Sequence, residues 1–325
     1  GMEKRDVYLD NAATSHPKPE CVLTAMRAAL TDFNANPGRS GHRRSLEAAR
    51  AVLAAREAVA AVLGARDPFC VAFAFNCTDA LNLAIKGALR TGDHVISTLL
   101  EHNSVLRVLA EKLRREEVEL TLLTPRPDGF IDPEDVRGAL RKNTRLIAVT
   151  HASNVTGAIQ PVAAIAQVAK EAGVPLLVDG AQALGVMPVD VSALNCQLYA
   201  FPGHKGLLGP QGTGGLYIDA ELDLQPLREG GTGSSSESML QPTERPERYE
   251  SGTLNLPGLA GLGAGARYVK ENLAQIFMRE REVTTALYDG LREIAGVEVY
   301  APAEEAARAG LVSFNAGDLT SSEAA

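Results

Sequence analysis

Short apolar runs alternate with amphipathic segments along nearly the whole of this chain, and that alternation confines it to α/β architecture. The runs at residues 71–75, 94–98, 120–123, 146–150, 176–178, 198–201 and 215–218 have the length and apolar character of buried strands. Helical periodicity occupies 45–63, 79–89, 103–116, 133–140 and 161–172 between them. Leu81, Ala84, Ile85, Ala88 and Leu89 keep i, i+3, i+4, i+7, i+8 spacing, the stripe of a helix laid on a sheet. No internal repeat is visible.

The alternation breaks at 228–250, where Gly230-Gly231-Thr232-Gly233-Ser234-Ser235-Ser236 and the polar stretch to Arg248 form a long aperiodic loop. Such loops inside compact proteins are commonly functional. Residues 256–274 and 276–294 are helical in pattern and can run on as one long helix into a second lobe. Residues 297–300 and 311–314 then read as two strands. A serine cap at Ser321 followed by helix formers predicts that the natural chain continues past Ala325.

With 32 basic against 40 acidic residues the net charge is −8, without a basic run. That argues against nucleic acid or an anionic membrane as the main partner. Cys21, Cys70, Cys77 and Cys196 lack metal-ligand spacing, so no metal is expected, and free thiols fit a reducing cytosol. There is no signal peptide or bilayer-length apolar run, and Gly1-Met2 reads as a tag scar before an initiator methionine. A cytoplasmic enzyme is the expectation.

Two segments carry the chemistry. Phe201-Pro202-Gly203-His204-Lys205-Gly206 offers one lysine in a Gly-rich turn, and Leu176-Leu177-Val178-Asp179-Gly180-Ala181-Gln182 offers one carboxylate at a strand end. They lie 26 residues apart, one strand–helix–strand step of a parallel sheet. A lysine that forms a Schiff base and an acid that holds a pyridinium nitrogen are what pyridoxal phosphate (PLP) chemistry requires. Gly203, Gly206 and Gly209 would let the backbone approach a cofactor closely. Read alone, Lys205 fits an exposed hairpin lysine equally well, and Asp179 fits a helix cap.

Phe73-Ala74-Phe75-Asn76-Cys77-Thr78-Asp79 runs from strand through tight turn to helix start, where free amides and the Thr78 hydroxyl can hold a phosphate. Cys77 lies in that turn, where a helix N-terminus lowers a thiol's pKa, but it reads as a small residue packed under the phosphate. Cys21, Cys70 and Cys196 read as packing residues. His102 follows a strand, where an imidazole could stack on a planar cofactor and shuttle a proton. His151 leaves its strand the same way, and Asn154 could donate to a phenolate oxygen or a substrate carboxylate, or simply make a turn.

Seven motifs occur in a fixed order: Tyr8-Leu9-Asp10-Asn11-Ala12-Ala13-Thr14, Asn76-Cys77-Thr78-Asp79-Ala80-Leu81-Asn82, Glu101-His102-Asn103, His151-Ala152-Ser153-Asn154, Val178-Asp179-Gly180-Ala181-Gln182, Gly203-His204-Lys205 and Tyr249-Glu250-Ser251-Gly252-Thr253. Together, and over nearly the whole chain, they resemble the class V aminotransferase superfamily, closest to its cysteine desulfurase and selenocysteine lyase branch. The resemblance implies a PLP-dependent transferase of fold type I: a mostly parallel seven-stranded sheet with helices on both faces, plus a smaller α+β lobe. Residues 15–255 would be the large PLP-binding domain, and 1–14 plus 256–325 a small domain incomplete at its C-terminal end.

The resemblance also implies roles. Lys205 would bind the cofactor covalently and move the Cα proton. Asp179 would pair with the pyridine nitrogen, Gln182 with the phenolic oxygen, and Asn154 with substrate or that oxygen. His102 would stack on the ring and assist proton transfer, while Thr78 and His204 hold the phosphate. Thr253 would reach the phosphate of the neighbouring subunit of a homodimer. The substrate would be L-cysteine or L-selenocysteine, with a sulfur-acceptor protein as a further partner.

Pro202 stands where the family usually has a phosphate-binding serine, so one ligand is lost. The family's nucleophilic cysteine and carboxylate-binding arginine belong to a C-terminal segment whose motifs do not occur before Ala325. The resemblance also admits another class V reaction, by an aminotransferase, epimerase or lyase. A non-catalytic scaffold of the same fold is the reading of a different class. A Rossmann-type nucleotide binder is disfavoured, because no GxGxxG follows an early strand.

Overall fold

The computed structural model describes residues 6–38 and 40–325; Gly1-Met2 lies outside them. All seven strands expected in the main sheet form: β1 (Val71–Ala74), β2 (Asp93–Thr98), β3 (Val118–Leu123), β4 (Thr144–Thr150), β5 (Leu176–Asp179), β6 (Leu198–Pro202) and β7 (Gly214–Ile218). Their order is β1-β7-β6-β5-β4-β2-β3. Only β7 runs against its neighbours, β1 and β6.

Alternating side chains divide between two cores, as the period of two in a strand requires. Phe73, Ile96, Ile147, Val149, Val178, Tyr199 and Phe201 join one core. Ala72, Val95, Leu146, Ala148, Leu177, Leu198 and Ala200 join the other. Helices α1 (Glu20–Thr31), α2 (Arg43–Leu63), α5 (Pro133–Ala139), α6 (Val162–Ala172), α7 (Val191–Leu194) and α8 (Leu256–Arg292) send buried residues into the first core. Helices α3 (Cys77–Ala88) and α4 (Asn103–Arg114) cover the opposite face.

The two helical stretches after the loop are one helix of 37 residues, α8. No Pro interrupts it after its first turn, and its glycines are buried where it packs on α1 and α2. The final strands are β8 (Val297–Tyr300) and β9 (Ser313–Ala316), an antiparallel pair; β9 starts two residues later than the expected 311. The short α9 (Ser321–Ala324) is capped by Thr320 rather than by a serine, with Glu323 closing a capping box.

The long loop is anchored by a buried ion pair. Arg56 of α2 grips Glu250 with two hydrogen bonds, 2.7 and 2.8 Å, and also donates to the Val71 carbonyl at 2.7 Å. Glu250 accepts the Phe73 N–H at 2.6 Å, and Phe73 places its ring 4.6 Å under the guanidinium. Removing one partner strands a buried charge, so Glu250→Ala should destabilise the fold by about 3–5 kcal/mol. A chemical denaturation midpoint measures this, and a wild-type midpoint would refute the anchoring role.

Candidate active site

The parallel strands, together with β1, all end at one edge of the sheet, where open α/β sheets bind ligands. Each functional segment leaves from one of those ends. A 260 Å³ cavity there is lined by Cys77, Thr78, His102, Asn154, Asp179, Gln182, His204 and Lys205. Eight of the nine residues singled out in the sequence thus meet in one place. The ninth, Thr253, is exposed and lines a separate small cavity with Phe73, Arg228 and Tyr249.

After β1, Asn76 caps α3 by accepting the Asp79 N–H at 2.7 Å, so the helix begins at Cys77, two residues before the expected start. The Thr78 hydroxyl lies 2.7 Å from that of Ser104. Cys77 does not behave as its position at the helix start predicts. Burial, then the neighbouring Asp179, push its thiol well above the usual range. Its Sγ donates to Asp179 Oδ1 at 3.6 Å.

After β2, exposed His102 caps α4, its Nδ1 accepting the Ser104 N–H at 3.0 Å. The neutral ring therefore carries its proton on Nε2. After β4, Asn154 sits in a turn whose amides at 155 and 156 donate to Ser153 Oγ, both at 3.1 Å. It also lines a neighbouring 750 Å³ cleft beside α8. His151 instead turns inward: its Nδ1 meets the Tyr199 hydroxyl at 2.8 Å, and burial pushes it down to about 4, which keeps it neutral.

Asp179, at 5% exposure, ends β5. Both of its hydrogen bonds come from neutral donors, the Cys77 thiol and the Ala181 N–H at 3.1 Å, and burial raises its pKa. No helix follows it, so its bond to Ala181 closes a turn rather than capping a helix. Gly180 is required next to it, because a Cβ there would lie 2.0 Å from the Tyr199 ring.

Lys205 lies in the turn after β6. The carbonyl of His204 accepts from the Ser15 N–H at 3.1 Å, the Ser15 hydroxyl at 3.0 Å and Lys18 Nζ at 2.9 Å. His204 Nδ1 meets the Thr14 hydroxyl at 3.0 Å, and Gln182 donates to the Ala12 carbonyl at 3.2 Å. The N-terminal segment therefore staples the turn that carries the lysine. The glycines here are required by the protein's own packing. A Cβ at Gly203 would strike Thr213, one at Gly206 the Leu184 carbonyl, and one at Gly209 the Gly203 carbonyl.

Ser104 was not legible as a site residue, yet its hydroxyl joins Thr78 in the cavity, which Pro202 also lines. The only signal was its place in the first turn of a helix that starts with His102. Of the other thiols, Cys70 and Cys196 are buried, with Cys196 pushed up to about 12 by burial; Cys21 is exposed, not packed. Among the described residues no cluster of His, Cys, Asp or Glu has the arrangement of a metal site, and no helix is long and apolar enough to cross a membrane.

Known proteins are similar to this chain in sequence and fold. Residues 7–325 match the family model described as aminotransferase class-V. A probable cysteine desulfurase of Methanothermobacter thermautotrophicus is 36% identical over 319 residues, 96% of this chain and 78% of that protein. A cysteine desulfurase of Klebsiella pneumoniae is 36% identical over 321 residues, again 96% and 78%. The apo structure of cysteine desulfurase from Thermococcus onnurineus superposes with a TM-score of 0.91 at 34% identity, covering 98% of this chain and 81% of that one. With its seven-stranded, mostly parallel sheet and its site at the strand ends, the chain has fold type I and belongs to the aminotransferase class-V family, whose enzymes depend on PLP.

Proposed function

We propose that this chain is a PLP-dependent cysteine desulfurase, converting L-cysteine, or L-selenocysteine, to L-alanine and passing the sulfur or selenium to a thiol. The observation that carries the reading is a single cavity lined by a lysine and by a buried carboxylate that neutral donors alone hold. Such a carboxylate suits a protonated ring nitrogen, which would supply the missing cation. Thr78, Ser104, His204 and the first turn of α3 supply donors suited to a phosphate. The donor set therefore fits PLP.

When bound, PLP supplies an electron sink for charge developing at the substrate Cα. The chain's own residues do the rest. Lys205 would hold the cofactor aldehyde carbon and, once displaced by the substrate amine, take the Cα proton. Asp179 would keep the ring nitrogen protonated, and Gln182 and Asn154 would bond the phenolic oxygen and the substrate. His102, whose Nδ1 accepts from α4, would offer its Nε2–H as a hydrogen-bond donor over the ring.

A thiolate then attacks the substrate sulfur. The carbon–sulfur bond breaks, its electron pair stays on Cβ and takes a proton, and alanine leaves beside a persulfide. Cys77 is unsuited to that attack, since burial and Asp179 suppress its thiolate. Cys70, Cys196 and Cys21 do not line the cavity. The attacking thiolate would come from a thiol other than these four, such as that of a sulfur-acceptor protein.

Exposed Thr253 would complete the site of a second copy in a homodimer. The large domain is taken as 15–255 and the small one as 1–14 plus 256–325, and a cytoplasmic location suits four unpaired thiols. The test is alanine release from L-cysteine, in equal amount to sulfide, by the PLP-loaded protein with thiol reductant. Steady release supports the reading; amino-group transfer or racemisation without sulfide would replace it with another class V reaction.

A further inference from the structure

Glu101 immediately precedes His102, and its side chain is buried, at 6% exposure. Its Oε2 accepts the Thr98 hydroxyl at 2.5 Å, and Thr98 Oγ1 in turn accepts the Leu100 N–H at 3.1 Å. Among the described residues the Glu101 Oε1 is buried with no partner. Thr98 and Thr150 end neighbouring strands β2 and β4, and Thr150 is the register partner of Asp179 on β5. Glu101 thus bridges the strand ends between His102 and Asp179. Asp179 is the charged group facing it; Cys77 of α3, His102 and Lys205 face Asp179 in turn.

Two carboxyls buried in one cluster repel each other when both are ionised. Asp179 is better placed to stay charged, since the Ala181 N–H and the Cys77 thiol donate to it. Glu101 has one oxygen satisfied and one bare. Burial pushes its pKa up to about 8, against the pull of the Thr98 hydroxyl.

We propose that Glu101 is a positioning residue, held as an uncharged carboxylic acid, that fixes the turn presenting His102 and leaves Asp179 the one negative charge of the strand-end cluster. It does not line the cavity and touches no reacting atom. The inference rests on the PLP reading for the ligand alone.

The sign of the linkage is definite. Unfolded, Glu101 ionises near its ordinary 4.5; folded, it keeps its proton to about 8. Its contribution to stability is therefore full at low pH and is lost as pH rises through that window. Glu101→Gln, an isostere of the neutral acid, should remove the loss. The gap in melting temperature between Glu101→Gln and wild type should widen from pH 5 to pH 9, with the variant the more stable at the alkaline end.

Spectroscopic titration with PLP gives the second readout. Glu101→Gln should hold PLP to within about twofold of wild type, and Glu101→Ala, checked for folding by circular dichroism, should bind about tenfold more weakly. In a His102→Ala background the further loss from Glu101→Ala should largely vanish. Parallel melting profiles for wild type and Glu101→Gln, equal weakening by Gln and Ala, or additive losses would each overturn the proposal. The melting profiles need neither cofactor nor substrate, so they separate an error about Glu101 from an error about the reaction.

Discussion

Lys205→Ala should abolish the visible absorbance band of covalently held PLP and lower alanine release by about 10⁴-fold, the upper range for losing a positioned proton carrier. The reason is local. Lys205 sits in a turn that four donors from the N-terminal segment fix through the His204 carbonyl. Lys18, in that segment, already spends its Nζ on Ser15 at 2.8 Å and on that carbonyl. Lys205→Arg should fail equally, because a guanidinium stays protonated. A normal band in Lys205→Ala would remove the assignment.

Asp179→Asn should keep the shape of the site and lose its charge. A buried, hydrogen-bonded charge pair deprived of one partner costs about 2–5 kcal/mol, or roughly 30- to 5,000-fold. The loss should appear both as weaker PLP affinity and as slower turnover. Asp179→Glu should recover part of the turnover, since the carboxylate remains though displaced. The fold should tolerate Asn, because a side-chain carbonyl can still accept from Ala181 and Cys77. Wild-type affinity and turnover in Asp179→Asn would show that the carboxylate does not serve the cofactor.

Much of the architecture was legible because buried strands announce themselves. Residues 71–74, 146–150 and 176–178 are apolar on both faces of the sheet, and no soluble exposed element reads that way. Helix α1 was not found, because Glu20–Thr31 follows Pro17 and Pro19 and its Ala, Thr and Arg blur the stripe; only Val22 and Ala29 are buried. The merging of the last two helical stretches follows from a solvent face that continues through 275 without a breaker.

At the site, Asp179 and Lys205 were recognisable from chemistry joined to strand spacing. Glu101 and Ser104 were not. A carboxylate just past a strand normally belongs in water, but Glu101 is buried against Thr98 at strand ends that only the order of the strands brings together. Ser104 needs Thr78, 26 residues earlier, for its place in the cavity to have meaning. The Cys77 thiol shows the opposite failure. The local rule for helix starts predicts an acidic thiol, but burial, and then Asp179 at the end of β5, reverse it.

Reductive trapping of the PLP-loaded protein, followed by mass spectrometry of its peptides, tests the central claim most directly. Borohydride should fix one pyridoxyl group per chain on the peptide containing Lys205. A label on Lys18, Lys86 or another lysine, or no label in protein that has taken up PLP, would contradict the account.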